Sequence, residues 1–177
     1  MKEEHTVIRR MSDEGRAKLA EWEGRRRAPY HDSAGKLTIG VGHLLTEKER
    51  TTGVLEILFP GESAPRRIAW RGGITDEAMD LLLVDDLYEA ERAVTEAVKV
   101  PLTQRQFDSL VSFTFNLGEG ALLSSTMLKR LNENRKTRVA AEMKRWNKAT
   151  NPKTGKKEVV SGLVNRRANE VEWGQWS

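Results

Sequence analysis

Two carboxylates and one hydroxyl, those of Glu23, Asp32 and Thr38, stand close together in the sequence and could share one acid–base reaction. Helical residues advance by about 100° each, so a helix whose apolar stripe is centred on Leu19 places Glu23 about 40° from that centre. The same geometry turns Glu21 about 160° away, towards water. A carboxyl group at the edge of apolar surface holds its proton more readily, because desolvation disfavours the charged form. Glu23 therefore has the position of a general acid, although pairing with a neighbouring arginine is the commoner use of a helix-end glutamate.

Asp32 and Thr38 could supply the other half of such a reaction. Asp32 opens the turn 32–35, where an aspartate commonly bonds its own backbone, and that structural role is favoured when the residue is taken alone. As a second carboxylate opposite the acid, it would complete the pair that glycoside hydrolysis requires. Thr38 is a good strand residue in its own right, but its hydroxyl could also hold a water against Asp32. In an extended strand Thr38 shares a face with Lys36 and Gly40, which leave that face open.

The histidines do not suggest a metal site. His5, His31 and His43 lack ligand spacing, and the chain contains no cysteine, so thiolate metal sites, disulfides and thiol nucleophiles are excluded. His43 follows two closely spaced glycines and is expected to have a structural role, paired with an acid.

Helix signals position these residues. Ser12 is expected to cap a first helix that ends near Gly24, and residues 36–39 have strand character in a small antiparallel hairpin or three-stranded sheet. Thr75 can cap a long helix to about Lys99. Thr103 and Gln106 form a capping-box pair before a run, 107–117, that is apolar nearly all round. Further predictions are a helix from Ser124 or Ser125 to Leu131, a helix over 137–146, a polar turn over 151–157 and a last helix from Ser161 towards Trp173.

The segment 50–73 breaks the helical pattern. It combines two prolines and four glycines with four arginines, which predicts an irregular loop or insertion. The resulting picture is α+β and mostly helical. It has a small lobe over ~12–50, a larger helical lobe over ~75–177, and a cleft between them where a substrate would bind.

Composition sets the remaining bounds. Hydrophobic residues make up 38% and charged residues 32%, which is typical of a globular protein. The net charge of +4 and the pI near 9.4 suit an anionic partner, either nucleic acid, an acidic membrane surface or the bacterial wall, or simply a solvated basic surface. The first residues, 1–6, are polar and precede no apolar run, so no secretory signal is expected. No stretch approaches the length of a membrane span.

Taken together, these residues resemble a known signature. From Glu23 to His43 the chain reads E-G, then an aspartate after eight residues, then a threonine after five more, and closes with T-I-G-V-G-H. This closely resembles the signature of the phage-type lysozymes (endolysins, glycoside hydrolase family 24). Residues 113–118 are similar to the family's F-N-x-G segment, residues 124–128 to its S-T-L segment and residues 162–170 to its G-L-x-x-R-R-x-x-E segment. The resemblance covers ~12–173, and only 50–73 does not align with shorter members.

The resemblance implies a lysozyme-like fold, a single catalytic domain over 1–177, and hydrolysis of the β-1,4 bond between N-acetylmuramic acid and N-acetylglucosamine in peptidoglycan. Glu23 would be the general acid. Asp32 would activate water or stabilise positive charge on the opposite face of the sugar, and Thr38 would position that water. The family is thought to invert the anomeric centre. His43 would form a buried ion pair with an acid of the long helix, with Asp86 as first choice and Asp85 next.

The resemblance also implies the remaining contacts. Predicted substrate-binding residues are Asn116, Ser125, Gly162 and Arg166. No cofactor or metal is implied, and neither nucleic acid nor stable membrane insertion is expected. A monomer that accumulates in the host cytoplasm and reaches the periplasm and wall through a holin pore fits the polar N-terminus. Three alternatives stay open: a non-catalytic wall-binding relative, a lytic module of a larger virion or toxin protein, and a nucleic-acid binder that uses the arginines of 50–73.

Overall fold

The computed structural model describes residues 7–176, so Met1–Thr6, with His5 and the polar N-terminal segment, lie outside the described residues. About half of the chain is helical. The helices are α1 (Asp13–Glu23), α2 (Glu47–Thr52), α3 (Asp76–Ala97), α4 (Gln104–Leu117), α5 (Glu119–Ser124), α6 (Thr126–Asn132), α7 (Val139–Lys144) and α8 (Ser161–Gly174). The strands are β1 (Arg26–His31), β2 (Leu37–Gly40), β3 (His43–Leu44), β4 (Val54–Ile57), β5 (Arg66–Ala69), β6 (Lys148–Thr150) and β7 (Lys157–Val159). The α+β, mostly helical prediction is therefore confirmed.

The chain forms two compact units. One comprises residues 16–88, and the other combines the residues up to 15 with those from 89 onward. The boundaries fall inside α1 and α3. The first unit contains β1–β5 and α2, and the second contains α4–α8 with β6 and β7.

The predicted helix starts are found where capping chemistry placed them. The Ser12 hydroxyl accepts a hydrogen bond from the backbone N–H of Gly15 at 3.0 Å, and the Thr75 hydroxyl accepts one from Ala78 at 3.1 Å. Thr103 and Gln106 form the complete reciprocal capping box of α4. Eight consecutive residues of α4, 107–114, are buried, as its apolar run predicts. Between the two candidate serines, Ser125 is the one that caps α6.

Gly15 shows why α1 needs a glycine in its first turn. A Cβ added there would lie 2.5 Å from Oδ2 of Asp108 on α4. That same carboxylate accepts the backbone N–H of Ser12 at 3.0 Å and the amide of Gln104 at 2.8 Å. The missing side chain therefore lets an α4 carboxylate reach the N-terminal end of α1.

The first sheet has three antiparallel strands in the order β1-β2-β3, which confirms the three-stranded form of the prediction. Tyr30 pairs with Thr38, and Thr38 pairs with Leu44. An irregularity between Arg26 and Tyr30 breaks the register of β1.

The prediction that 50–73 is an irregular loop is wrong. The segment continues α2 and then forms the antiparallel hairpin β4–β5, whose register pairs Val54 with Ala69 and Ile57 with Arg66. Leu55 and Ile57 alternate with Glu56 and are fully buried, in one core cluster with Ile39. The alternation was present in the sequence, but the density of prolines and glycines obscured it.

One C-terminal expectation also needs correction. The helix predicted over 137–146 is a 3₁₀ turn over Lys136–Arg138 followed by the short α7, which ends at Lys144. The predicted polar turn is found over 151–156, as the tip of a second hairpin, β6–β7, and Lys157 already belongs to β7. The last helix, α8, begins at Ser161 as predicted. No helix between residues 7 and 176 has the length and hydrophobicity to cross a membrane.

Candidate active site

Glu23 is the last residue of α1, and its side chain is half-buried. Glu21, two residues earlier, is exposed and pairs with Lys18 at 3.1 Å, as the helical phase predicts. A Cβ placed on Gly42 would lie 3.8 Å from Oε2 of Glu23. The second glycine of T-I-G-V-G-H thus lies directly against the carboxylate, with nothing but hydrogen on its α-carbon.

Asp32 uses one carboxylate oxygen to shape the turn between β1 and β2. Its Oδ1 accepts the backbone N–H groups of Ala34 at 2.9 Å and Lys36 at 2.8 Å. The structural interpretation from the sequence is therefore correct, but it accounts for only one oxygen. Among residues 7–176, Oδ2 of Asp32 accepts no hydrogen bond, and the side chain is half-buried.

Thr38 lies in the middle of β2 and is 3% exposed. Its hydroxyl donates to the carbonyl of Lys36 at 3.0 Å. Because a hydroxyl has one proton and two lone pairs, Thr38 can still accept a hydrogen bond but has no second proton to donate. Asp32 continues the chain from β1, and Thr38 belongs to the neighbouring strand, so the turn sequence positions both side chains.

Tyr30 was not identified from the sequence. It is the cross-strand partner of Thr38 and stands two residues before Asp32, so strand geometry puts it on the face that carries both. Burial raises the pKa of the Tyr30 phenol, the Arg26 guanidinium acts to lower it, and the negative charges of Glu23 and Asp32 raise it further. The Tyr30 phenol therefore lies within electrostatic reach of both carboxylates. No local sequence signal marked it, because β1 shows no alternation and the pairing of Tyr30 with Thr38 is non-local.

His43 contacts two carboxylates. Its Nδ1 lies 2.8 Å from Oδ2 of Asp86 on α3, and its Nε2 lies 3.2 Å from Oε2 of Glu49 on α2. The structure thus brings together the predicted pair His43 and Asp86 and adds Glu49, which sequence reasoning missed. Glu49 was visible as the fourth residue of a T-x-x-E capping box, which Thr46 and Glu49 do form.

The electrostatics of this cluster favour a charged imidazole. Burial acts to lower the pKa of His43, but the hydrogen bond and charge of Asp86, reinforced by Glu49, outweigh it and raise the pKa above its ordinary value. Burial acts to raise the pKa of Glu49, but hydrogen bonds from Thr46 and the charge of His43 outweigh it and lower the pKa. Both ring nitrogens face carboxylate oxygens, and only the imidazolium donates from both.

The predicted substrate-binding residues belong to the other compact unit, and their exposure differs. Asn116 is exposed at the end of α4, where its Oδ1 accepts a hydrogen bond from Arg167 at 2.8 Å. Gly162 is exposed in the first turn of α8. Ser125 is buried, and its hydroxyl accepts from the N–H of Leu128 and donates to the carbonyl of Leu122.

Arg166 is also buried, with its guanidinium on Ser112 and Glu170. The contacts of Ser125 and Arg166 are those of structural residues, and a direct contact with a ligand has no support in this geometry. Among the residues from 7 to 176, no group of three His, Cys, Asp or Glu side chains is arranged so that it could hold a metal ion.

A half-helical chain with a small three-stranded sheet, carrying a glutamate at a helix end and an aspartate and a threonine on that sheet, has the architecture of a lysozyme-like protein. The phage lysozyme family matches residues 20–170. The chain belongs to the phage lysozyme family.

Individual relatives agree with this assignment. An endolysin of Acyrthosiphon pisum secondary endosymbiont phage 1 is 32% identical over 160 residues, which are 90% of this chain and 94% of that protein. An endolysin of Bacillus phage PZA is 42% identical over 125 residues, which are 71% of this chain but 43% of that endolysin. The chain therefore spans less than half the length of that relative. The muramidase domain of SpmX from Asticaccaulis excentricus superposes with a TM-score of 0.71 at 34% identity, covering 93% of this chain and 97% of that domain.

Proposed function

We propose that this protein hydrolyses the β-1,4 bond between N-acetylmuramic acid and N-acetylglucosamine in bacterial peptidoglycan. Glu23 donates a proton to the oxygen of the departing N-acetylglucosamine as the glycosidic bond breaks. A water held by Asp32 and Thr38 attacks the anomeric carbon of N-acetylmuramic acid from the opposite face, and Asp32 receives the proton that this water loses. The anomeric configuration is inverted, since the two groups act from opposite sides of the sugar ring.

The observation that carries the proposal is that the side chains of Asp32 and Thr38 can each still accept a hydrogen bond. Oδ2 of Asp32 is without a hydrogen-bond donor among the described residues, and the hydroxyl proton of Thr38 is committed to Lys36. Both groups can therefore only accept from an incoming water. A water that donates one proton to each of them has its lone pairs directed away from both, towards a substrate carbon. This is the arrangement that an activated nucleophilic water needs.

The surroundings of Glu23 support its role as the acid. Gly42 leaves space beside Oε2, so a substrate oxygen can approach the carboxyl group. Tyr30 is the cross-strand partner of Thr38, and the negative charges of Glu23 and Asp32 both raise the pKa of its phenol. We assign Tyr30 a positioning role at this site.

Substrate contacts are proposed according to exposure. Asn116 and Gly162 are exposed, so each can contact a sugar or peptide group directly. Ser125 caps α6, and Arg166 holds the carboxylate of Glu170. We therefore infer that these two residues act on substrate only by fixing the helices that carry other contacts. Cleavage of the wall from within an infected bacterium, after release through a holin pore, is the biological role that we propose for the activity.

The test compares the native chain with Glu23→Gln and with Glu21→Gln as matched control. Both substitutions replace a glutamate of the same helix by its neutral isostere, but Glu21 is exposed, and its ion pair among residues 7–176 is with the neighbouring Lys18. On purified sacculi we expect the native chain and Glu21→Gln to release glycan at comparable rates. Glu23→Gln should lose at least about two orders of magnitude, the usual contribution of a general acid, while its melting midpoint stays close to that of the native chain.

The products identify the bond and the mechanism. Hydrolysis at the proposed bond leaves N-acetylmuramic acid at the new reducing end, and products formed in ¹⁸O-water carry the label there. Reducing N-acetylglucosamine ends would overturn the choice of bond, and unlabelled anhydro ends would overturn attack by water. Equal activity of all three proteins would remove Glu23 from the mechanism, and binding of sacculi without product from any of them would leave a wall-binding protein.

A further inference from the structure

The basic charge of this protein is concentrated in one segment. Residues 135–157 contain nine lysines and arginines and one acidic residue, a net charge of +8. The whole chain has a net charge of +4, so the residues outside this segment together have a net charge of −4. The pI near 9.4 therefore reflects a local feature and not a uniformly basic surface.

Most of these cations have no partner among residues 7–176. Six of the nine side chains are exposed and form no hydrogen bond or ion pair with any described residue: Arg138, Lys144, Lys148, Lys153, Lys156 and Lys157. Elsewhere, arginines such as Arg25, Arg27 and Arg92 lie against carboxylates. Many positive side chains elsewhere are therefore paired with carboxylates, whereas most of those in this segment are not.

The hairpin β6–β7 carries the centre of this charge and leaves both of its faces open. All six strand residues are exposed. A two-stranded hairpin whose strand residues are all exposed is at best marginally stable by itself in water. We therefore expect this ordered, exposed hairpin to bind a partner.

One face of the hairpin combines lysine with exposed valine. Lys148 is the cross-strand partner of Val159, and Thr150 is that of Lys157, so these four side chains point to the same side. Lys148 and Lys157 are diagonal neighbours on this face, and strand geometry puts their backbones roughly 7–8 Å apart. Their two positive charges repel each other, and an anion bound between them would relieve this repulsion. The only acid of the two strands, Glu158, projects from the other face, where it accepts from Asn151 at 2.9 Å.

The apolar part of this face is Val159, which is 60% exposed and lies opposite Lys148. Val160 is extended and continues the alternation, so its side chain projects from the face that carries Glu158. An exposed valine beside two lysines adds nothing to the binding of a purely polar anionic polymer. At a bilayer surface, the lysines reach the phosphates while the valine leaves water for the acyl boundary.

We propose that the face of the β6–β7 hairpin that carries Lys148, Lys157 and Val159 is a docking surface for a bilayer that contains anionic phospholipids. The contact is peripheral: lysine ammonium groups pair with headgroup phosphates, and Val159 rests in the interface. Binding does not depend on glycan hydrolysis and is expected whether or not Glu23 is intact.

The experiment measures co-sedimentation of the intact protein with vesicles of phosphatidylglycerol and phosphatidylcholine, and with vesicles of phosphatidylcholine alone. We expect binding to the anionic vesicles only, weakening steeply as salt rises. The double variant Lys148→Glu/Lys157→Glu should bind at least about tenfold more weakly, because each lysine near such a surface contributes measurably to affinity. Val159→Thr, which keeps shape and charge, should weaken binding without changing its salt dependence.

The matched control is Arg67→Glu/Lys129→Glu, which makes the same change in net charge at two exposed positions outside the segment. It should bind within about twofold of the native chain, since attraction to the surface acts locally and falls off within a Debye length. A second pair in the turn, Lys153→Glu/Lys156→Glu, repeats the test without altering a strand residue, in case the first pair disturbs the hairpin.

Equal loss in the control and hairpin variants would reduce the effect to net charge and overturn the proposal. Binding that depends on Lys148 and Lys157 but occurs on purified sacculi or DNA, with none on anionic vesicles, would also overturn it and assign the surface to a different polyanion. Loss of sacculus hydrolysis in Glu23→Gln with vesicle binding retained would separate this surface from the catalytic proposal.

Discussion

Nδ1 of His43 lies 2.8 Å from the carboxylate of Asp86, which joins strand β3 to helix α3. The side chains are 11% and 23% exposed, so the contact is only partly screened by water. Glu49 completes the cluster on the other ring nitrogen. The charged form of His43 therefore stabilises the unit of residues 16–88.

The first prediction concerns the pH dependence of this cluster. The pKa of His43 is raised above its ordinary 6.5, so its contribution is full below about pH 6.5 and is lost as the pH rises through the folded pKa. The pKa of Glu49 is lowered from its ordinary 4.5, so its contribution is full above about pH 4.5 and is lost as the pH falls through the folded pKa. At pH 5.5, Asp86→Asn should lower the free energy of unfolding by about 1.5–3 kcal/mol, the worth of a charge-assisted hydrogen bond, and by less at pH 9.

Urea unfolding at the two pH values measures this difference, and an NMR titration of the His43 imidazole in both proteins gives its origin. The titration midpoint of His43 should fall in Asp86→Asn and, by a smaller step, in Glu49→Gln. An identical midpoint in all three proteins would show that the ion pair does not govern His43.

The second prediction concerns Gly42, which has a φ of +77° and lies against Glu23. Gly42→Ala forces an alanine into the left-handed region and should cost about 1–3 kcal/mol of unfolding free energy. Its methyl group would sit 3.8 Å from Oε2 of Glu23, so activity should fall more than the loss of folded protein explains. Gly72→Ala, in a turn with open space and no positive φ, is the control and should change neither quantity. A stable, fully active Gly42→Ala would contradict the proposed approach of substrate beside this glycine.

The third prediction tests whether the hairpin β4–β5 belongs to the core. Leu55 is fully buried and Leu58 is 52% exposed, three residues further along the same chain segment. Leu55→Ala should lower the unfolding free energy by about 2–5 kcal/mol because it opens a cavity. Leu58→Ala removes the same atoms from a solvated site and should stay within about 0.5 kcal/mol. Denaturant unfolding of the two variants measures both free energies. Equal values would show that the hairpin β4–β5 does not contribute to the core.

The fourth prediction concerns Glu170, which is fully buried between two arginines of its own helix. Its carboxylate lies 2.9 Å from Nε of Arg166 and 2.8 Å from Nε of Arg167, and it accepts the Ser112 hydroxyl at 2.7 Å. Glu170→Gln removes the negative charge that both buried guanidinium groups contact and should lower the unfolding free energy by about 3–5 kcal/mol. Glu172→Gln, exposed on the same helix, supplies the control and should be nearly silent. Calorimetry measures the melting temperatures of both variants. Equal melting temperatures would rule out a stabilising role for this cluster.

Local chemistry explains what the sequence predicted correctly. Caps such as Ser12 and the Thr103–Gln106 box act between residues three apart, so their signals are readable without the fold. The contact between His43 and Asp86 followed from the resemblance to the phage lysozymes, since no spacing rule connects residues 43 apart.

Non-local pairing explains what was missed. The strands of the hairpin β4–β5 are joined by the eight residues 58–65, and their partners cannot be read from either strand alone. The partners of β6 and β7 are separated in the same way, and no buried residue marks their faces. Tyr30 escaped notice because its significance arises only when β1 and β2 are side by side.

Trp70 limits which segment of the chain can be swapped, hairpin included, between related proteins in a chimera. Its indole N–H donates to the backbone carbonyl of Glu49 at 2.9 Å, and Glu49 in turn contacts His43. A chimera that swaps only the strands 54–69 would cut between the tryptophan and its anchor. Recombination breakpoints placed before Thr46 and after Trp70 would transfer the cap, the anchor and the hairpin together, as one heritable block.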